Sequence, residues 1–375
     1  MEKKYIGTLN NIAQVGLDKF GDSYEVTDDL ESAHAIIVRS AKMHDMKFSD
    51  NLIAVGRAGS GVNNIPIERC SENGIVVFNA PGANSNAVKE LVIASLIMSA
   101  RNMYEGITWA NNLSGDVPAE VEKGKKQFKG SEIAGKTLGI IGLGAIGSKV
   151  AKAAHALGMN IVGNSKSISR NLDVPCKMYD DLSEMVKVCD YVTIHVPSRP
   201  DTVGMINKNL ISCMKDGVIL LNLARPDLIV EDDVIEAIES GKIRKFVSDL
   251  VSEKLINHSN IITTPHIGAS TKEAEENCAV MAANELIDYI EHGNITNSVN
   301  FPAVSMDEEG TKLSILYKGC DAKTVLEGIN IGELAEGKSK NGLGACIALV
   351  DEATAEDAAE SLAKKDCVLR VRIVE

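Results

Sequence analysis

Aromatic side chains are scarce in this chain of 375 residues, at 4% with one tryptophan, which argues against a stacking platform for single-stranded nucleic acid. Positive charge is also short. Lysine and arginine number 39 against 52 aspartates and glutamates, and the net charge of −13 leaves room only for a local basic pocket that takes a small anion. Long apolar runs are missing: Leu91 to Ala100, bounded by Glu90 and Arg101, is about half the ~20 residues that a membrane span needs. MEKKYIGTLN carries no apolar core behind its lysines, so no signal peptide is expected. No two of the eight cysteines form a C-x-x-C pair, which argues against a zinc ribbon or a disulfide framework. The expectation is a cytoplasmic protein with reduced thiols, no metal, no nucleic-acid partner and no membrane partner.

Hydrophobic residues at 45% and charged residues at 24% are ordinary for a globular protein, and the length suggests two or three domains. KYIGTL, AHAIIVRS, LIAVGRAG and IVVFNAP read as strands. Each is a nearly continuous apolar run, as strands buried on both faces should be, and the order is that of an α/β domain with a parallel sheet. A helical stretch runs from Asn84 to about Asn112, followed by NNLSGDVPAEVEKGKKQFKGSEIAGK, read as a surface connection. A second α/β unit begins at Thr137 with the strand TLGIIGLG. Its helix AIGSKVAKAAHALG has Ile146, Val150, Ala153, Ala154 and Leu157 on one face. A long helix runs from Ser270 to about Gly293, and the chain after NSVNFPAV reads βαββαβ, the ferredoxin-like order. The expected architecture is α/β: two Rossmann-like, doubly wound parallel-sheet domains and a small ferredoxin-like C-terminal domain. The expected boundaries are 1–101 with 287–303, then 102–286, then 306–375.

Gly142-Leu143-Gly144-Ala145-Ile146-Gly147 fits G-x-G-x-x-G where a strand closes and a helix opens. The first glycine permits the tight turn, the second lets a pyrophosphate approach the backbone, and the third lets helix and strand pack closely. An acidic residue about 20 positions later normally binds the ribose 2′-hydroxyl of NAD. This chain has Ser165 and Lys166 there, with Arg170 beyond. Without a carboxylate and with two cations the pattern leans towards NADP, while hydroxyl and backbone contacts keep NAD open.

Three further features end strands, where ligands of open α/β sheets collect. They are Asn222-Leu223-Ala224-Arg225, Ser248-Asp249-Leu250 running into Glu253, and Thr264-Pro265-His266-Ile267-Gly268. An arginine grips a carboxylate with two parallel hydrogen bonds, and a histidine passes a proton near neutral pH. Alone, Arg225 reads as a surface ion pair and His266 as a turn residue; behind a glycine loop the set suits reduction of a 2-keto acid. Arg39 and Lys42, with Ser40 between them, supply cations and a hydroxyl for a phosphate, or form a solvated basic turn.

At these residues the chain resembles the D-isomer-specific 2-hydroxyacid dehydrogenases. The matching stretches are GRAGSGVNNIPIERCSENGIVVFNAPGANSNAVKEL, LGIIGLGAIGSKVAKAAHALGM, HVP at 195–197, NLAR, TPHIGAST and NSVNFPAV. The resemblance implies that Arg225 holds the substrate carboxylate and polarises the C2 carbonyl. It implies that His266 is the acid–base, paired with a glutamate for which Glu253 is the candidate. The dinucleotide is assigned to Gly142, Gly144, Ala145, Ile146, Gly147, Ser165, Lys166, Val196, Pro197, Ala224 and Asp249, the last beside the nicotinamide. Arg39, Ser40 and Lys42 match a strand end that holds a substrate phosphate, and Asn84 and Ser85 a loop that closes on the substrate. The implied reaction is hydride transfer between NAD or NADP and a phosphorylated 2-hydroxy acid, 3-phosphoglycerate, or its 2-keto partner. A hydroxypyruvate or glyoxylate reductase and a dinucleotide-sensing binding protein are the alternatives. The last ~70 residues resemble ACT regulatory modules, and relatives imply a homodimer or homotetramer. Three positions depart from the family pattern: Glu253 lies one residue short of the usual spacing, Pro226 and Asp227 follow the arginine, and Ser165 replaces an acid.

Overall fold

The computed structural model describes residues 3–168, 172–338 and 341–375, so Arg170 lies outside the described residues. Two compact units are formed, Met1–Asn84 with Lys272–Glu375, and Ser85–Thr271.

The first unit holds five parallel strands: β1 (Lys4–Leu9), β2 (Tyr24–Thr27), β3 (Ala35–Val38), β4 (Ala54–Arg57) and β5 (Val76–Asn79). Their order is β2-β1-β3-β4-β5, and the central strands are buried along nearly their whole length. The helix Lys272–His292 lies on this sheet, with Cys278, Ala279, Ala282, Leu286 and Tyr289 in one core with Ile6, Ile37, Ala54 and Phe78.

The second unit contains β6 (Thr137–Leu143), β7 (Asn160–Ile168), β8 (Cys176–Met178), β9 (Tyr191–Ile194), β10 (Val218–Asn222), β11 (Ile243–Ser248) and β12 (Ile261–Thr263). The order β12-β11-β10-β9-β6-β7-β8 is that of a doubly wound nucleotide-binding sheet with one added edge strand. The topological switch lies between β6 and β9.

The chain ends in a four-stranded antiparallel sheet of β13 (Lys312–Lys318), β14 (Leu334–Glu336), β15 (Leu343–Leu349) and β16 (Val368–Val374), ordered β14-β15-β13-β16. With the helices Ala322–Val325 and Ala355–Ala363 this is the expected βαββαβ arrangement. The period-2 alternation is buried on both faces. Leu313, Ile315, Tyr317, Cys346 and Ala348 pack under the sheet's own helices, whereas Leu316, Ala345 and Ile347 enter the core of the first unit. Arg370 donates to the carbonyls of Gly74 (2.9 Å), Asn73 (3.1 Å) and Asp50 (3.3 Å), and Arg372 to those of Tyr289 (2.6 Å) and Ile290 (3.3 Å). This sheet therefore belongs to the first compact unit.

Two sequence expectations need correction. The boundary after residue 101 falls at 84/85 instead, and the return falls at 271/272 rather than 286/287. The cause is burial: Val88, Val92, Leu96 and Ala100 of the helix Ser85–Arg101 share a core with Leu138, Ile140, Val150 and Ala154. The helix expected to continue to Asn112 breaks at Asn102, whose φ of 48° is left-handed. After the break the expected helix resumes as Met103–Asn111, and the segment read as a surface connection carries a further short helix, Val117–Gly124; both face solvent, with Trp109 against Phe128 (5.2 Å between rings).

Candidate functional site

In a parallel sheet all strands end on one edge, so the loops after β6, β7, β9, β10, β11 and β12 converge. The glycine loop stands at the centre of that edge. Gly142 has φ 93°, and a Cβ there would meet the His195 carbonyl at 2.6 Å and Val196 Cγ1 at 2.8 Å. A Cβ on Gly147 would collide with the Gly142 carbonyl. Nothing lies within 4 Å of a Cβ built on Gly144, which caps the helix Ala145–Ala156 without any side-chain bond. The first-turn N–H groups of Ala145, Ile146 and Gly147 have no intrahelical acceptor, so they are available to a pyrophosphate. Ser148, 3% exposed, donates to the Leu143 carbonyl (2.8 Å) and fixes the loop from below.

The neighbouring strand ends complete this edge. Ser165 Oγ accepts the Leu143 N–H (3.1 Å), so the residue in the usual acid's place ties β7 to the glycine loop. Lys166 is ion-paired with Asp201, a carboxylate that sequence reasoning missed because it comes from the loop after β9. His195 precedes Val196 and Pro197, its ring nitrogen is 3.0 Å from Thr193 Oγ1, and burial pushes its pKa down to about 4, keeping it neutral. Ala224 sits in a turn closed by the buried Asn222, which donates to the Arg225 carbonyl (2.8 Å) and accepts from the Ala224 N–H (3.2 Å).

Arg225 is half-buried, and its Nη1 donates to the Ala224 carbonyl (2.7 Å). Pro226 occupies the first position of the short 3-10 helix Pro226–Leu228, where a missing N–H costs nothing. Asp227 Oδ2 accepts from Ser198 Oγ.

His266 is exposed and has φ 57°, a left-handed conformation that is rare outside glycine and asparagine. Asp249, 1% exposed, holds the loop in that shape. Its Oδ1 accepts from Thr264 Oγ1 (2.6 Å) and the Ile267 N–H (2.8 Å), and its Oδ2 accepts from the Gly268 N–H (2.6 Å). Expected beside the nicotinamide, Asp249 spends three acceptor sites on the loop that carries His266. Glu253, the expected partner of His266, is exposed, and the two side chains share no hydrogen bond. One reason is visible nearby: Lys254 pairs with Asp232 (2.6 Å) and Ser252 with Glu231 (3.1 Å), drawing the segment towards the helix Glu231–Glu239.

The first unit carries the remaining candidates. Arg39 Nη2 lies 2.7 Å from Glu275 Oε1. The Ser40 and Ala41 N–H groups both donate to Asn10 Oδ1 (2.8 and 2.5 Å), and Lys42 is exposed. Sequence reasoning missed Arg57, although it lies in the quoted stretch GRAGSGVNNI: its guanidinium folds over Gly59, where a side chain would collide with it. Arg57, Arg39 and Glu275 all act electrostatically on the buried Cys278, whose thiol burial pushes up. Asn84 accepts from Ser60 Oγ (3.2 Å) at the end of this unit, and Ser85 is buried at the start of the following helix.

All eight cysteines are free thiols, and among the described residues no cluster of His, Cys, Asp or Glu could hold a metal ion. No described helix is long and apolar enough to cross a membrane.

Residues 93–268 match the family described as D-isomer specific 2-hydroxyacid dehydrogenase, NAD binding domain. The chain is 35% identical over 340 residues to a D-3-phosphoglycerate dehydrogenase of Haemophilus influenzae, covering 82% of this chain and 77% of that protein. It is also 35% identical over 319 residues to a D-3-phosphoglycerate dehydrogenase of Methanocaldococcus jannaschii, covering 81% of this chain. In that relative and one from Archaeoglobus fulgidus the match spans only 59% and 54% of the protein's length. The NAD+-bound 3-phosphoglycerate dehydrogenase of Entamoeba histolytica superposes with a TM-score of 0.64 at 27% identity, over 80% of this chain and 99% of that one.

Proposed function

The chain belongs to the D-isomer specific 2-hydroxyacid dehydrogenases, and on that premise we propose that it interconverts 3-phosphoglycerate and 3-phosphohydroxypyruvate with NAD or NADP, the step that opens L-serine biosynthesis. The observation that carries the choice of a phosphorylated substrate is the pair of guanidinium groups, Arg39 and Arg57, at the ends of β3 and β4. Bound dinucleotide supplies or accepts the hydride. Arg225 grips the carboxylate and polarises the C2 carbonyl with charge-assisted hydrogen bonds. His266 gives its proton to the keto oxygen in reduction and takes it back in oxidation. Asp249 is a positioning residue that acts through the loop of His266.

Arg39 is already matched by Glu275, and this favours a second reading, a hydroxypyruvate or glyoxylate reductase with no need for a phosphate clamp. The test is nicotinamide absorbance with 3-phosphohydroxypyruvate and hydroxypyruvate side by side, in wild type and Arg39→Ala. Loss confined to the phosphorylated substrate supports the clamp, and equal loss on both favours the second reading. Turnover on neither substrate by wild type favours a dinucleotide-sensing binding protein. A homodimer or homotetramer is part of the proposal, since Tyr104 and Ile107 are 52% and 56% exposed on the helix Met103–Asn111. The C-terminal sheet is proposed as an ACT-like regulatory and oligomerisation element.

A further inference from the structure

We propose a second anion site in the nucleotide-binding unit, on the sheet edge opposite the glycine loop, that takes inorganic phosphate or a small phosphomonoester. A cavity of about 340 Å³ opens there among the starts of β6, β9, β10 and β11. Four cations line it: Lys129, Lys136, Lys215 and Arg244. Among the described residues Lys215 pairs with Asp190, whereas the side chains of Lys129, Lys136 and Arg244 have no hydrogen-bond or ion-pair partner. The two carboxylates in the lining are otherwise engaged: Asp190 accepts from Lys215 Nζ (3.0 Å) and the Thr137 N–H (2.8 Å), and Asp216 from Lys242 Nζ (2.9 Å). In a chain of net charge −13, four cations against two carboxylates around one cavity leave a local positive excess.

A feature of the backbone points the same way. The β10–β11 ladder shifts register between Val218 and Ile219, which pair with Ile243 and Lys245, so Arg244 is the extra residue of a bulge. Bulges re-aim side chains, and this one adds a guanidinium to the cavity. Arg244 offers a bidentate fork and the lysines point charges, a donor set that suits a phosphate oxygen cluster.

Nothing in this inference depends on the proposed reaction. The test is calorimetric titration of the full chain with inorganic phosphate and, separately, with glycerol 2-phosphate. It is run in the Arg39→Ala background with NADH saturating, so that the other two phosphate-binding places stay silent. One phosphate-class ligand should bind, and Arg244→Gln and Lys136→Gln should each weaken it about tenfold, the loss expected for one charge-assisted hydrogen bond. Lys254→Gln, far along the opposite edge, should leave it unchanged. Lys136 is exposed, so its variant folds even if the bulge variant does not. The ligand that binds more tightly identifies the source, free phosphate or phosphomonoester. Equal affinity in wild type and both cavity variants overturns the proposal. So does binding of neither ligand, or heats reproduced by sodium chloride at matched ionic strength.

Discussion

Replacing Asp249 by asparagine tests whether this carboxylate works through the loop of His266 or through the dinucleotide. The carboxylate takes three hydrogen bonds in a site that is 1% exposed. An asparagine can present its oxygen to Thr264 Oγ1 and the Ile267 N–H, but its amide then faces the Gly268 N–H donor to donor. At the least one charge-assisted bond is lost and a buried N–H is left unpaired, a cost of about 2–3 kcal/mol. The left-handed conformation of His266 carries a strain of about 1–2 kcal/mol, which those bonds now offset. The weakened loop no longer covers that strain, so the histidine spends most of its time out of place. A population penalty near 2 kcal/mol lowers kcat by about 30-fold. Steady-state kinetics and NADH fluorescence titration should therefore give a fall of that order in kcat with dinucleotide affinity held within about threefold, together with a drop in Tm of several degrees. An unchanged kcat, or a loss appearing wholly as weaker dinucleotide binding, refutes the reasoning and returns Asp249 to a cofactor contact.

His266→Ala should abolish turnover with near-normal dinucleotide binding, and His266→Gly should be equally inactive yet more stable than the alanine variant by about 1 kcal/mol in denaturant melts, because glycine adopts a φ of 57° freely. Asp201→Asn should raise the NADPH-to-NADH ratio of kcat/KM, since it frees Lys166 and removes a carboxylate from that strand end, whereas Lys166→Ala should lower it; no movement in either variant would place the ribose elsewhere. Burial raises the pKa of Glu285 from 4.5 to about 7, against a lowering hydrogen bond from Asn297. The folded chain thus holds a proton that the unfolded chain releases above pH 4.5, and stability falls from pH 4.5 to about 7 by up to ~3 kcal/mol. Glu285→Gln should match wild type in acid and exceed it at pH 8 in urea melts.

The sequence made most of the fold legible because strand order and burial leave a strong imprint. Continuous apolar runs such as VILLN at 218–222 occur only where both faces of a strand are covered, and that strand is buried throughout. The glycine loop was equally readable, because each of its glycines answers a local steric demand. Domain assignment failed at the helix Ser85–Arg101. Its apolar band specifies that one side is buried, and periodicity carries no information on which sheet buries it. The short helix Val117–Gly124 was missed because nothing on it is buried, so no apolar stripe marks it. Arg57 was passed over since a strand-end arginine looks the same whether it turns to solvent or folds back over a glycine.

The positions that depart from the family pattern separate by how their neighbours answer them. Ser165 cannot hold a ribose through charge, but its hydroxyl accepts the Leu143 N–H and keeps β7 tied to the phosphate loop. Pro226 takes a helix-start position at which a proline is favourable, and Asp227 gains Ser198 as a donor, so the arginine turn stays closed by Asn222. At Glu253 no such answer exists: the shortened spacing leaves it in solvent while its neighbours Ser252 and Lys254 bind the helix Glu231–Glu239. His266, the proposed acid–base, is consequently held by its main chain. Its φ, the Thr264 carbonyl that accepts its N–H at 2.9 Å and the Asp249 brace set where the ring begins, and no side chain sets where it ends. The orientation that the resemblance would assign to a glutamate is thus left, under the proposal, to a strained turn. For that reason the energetic consequences of substitution should concentrate on Asp249 rather than on Glu253.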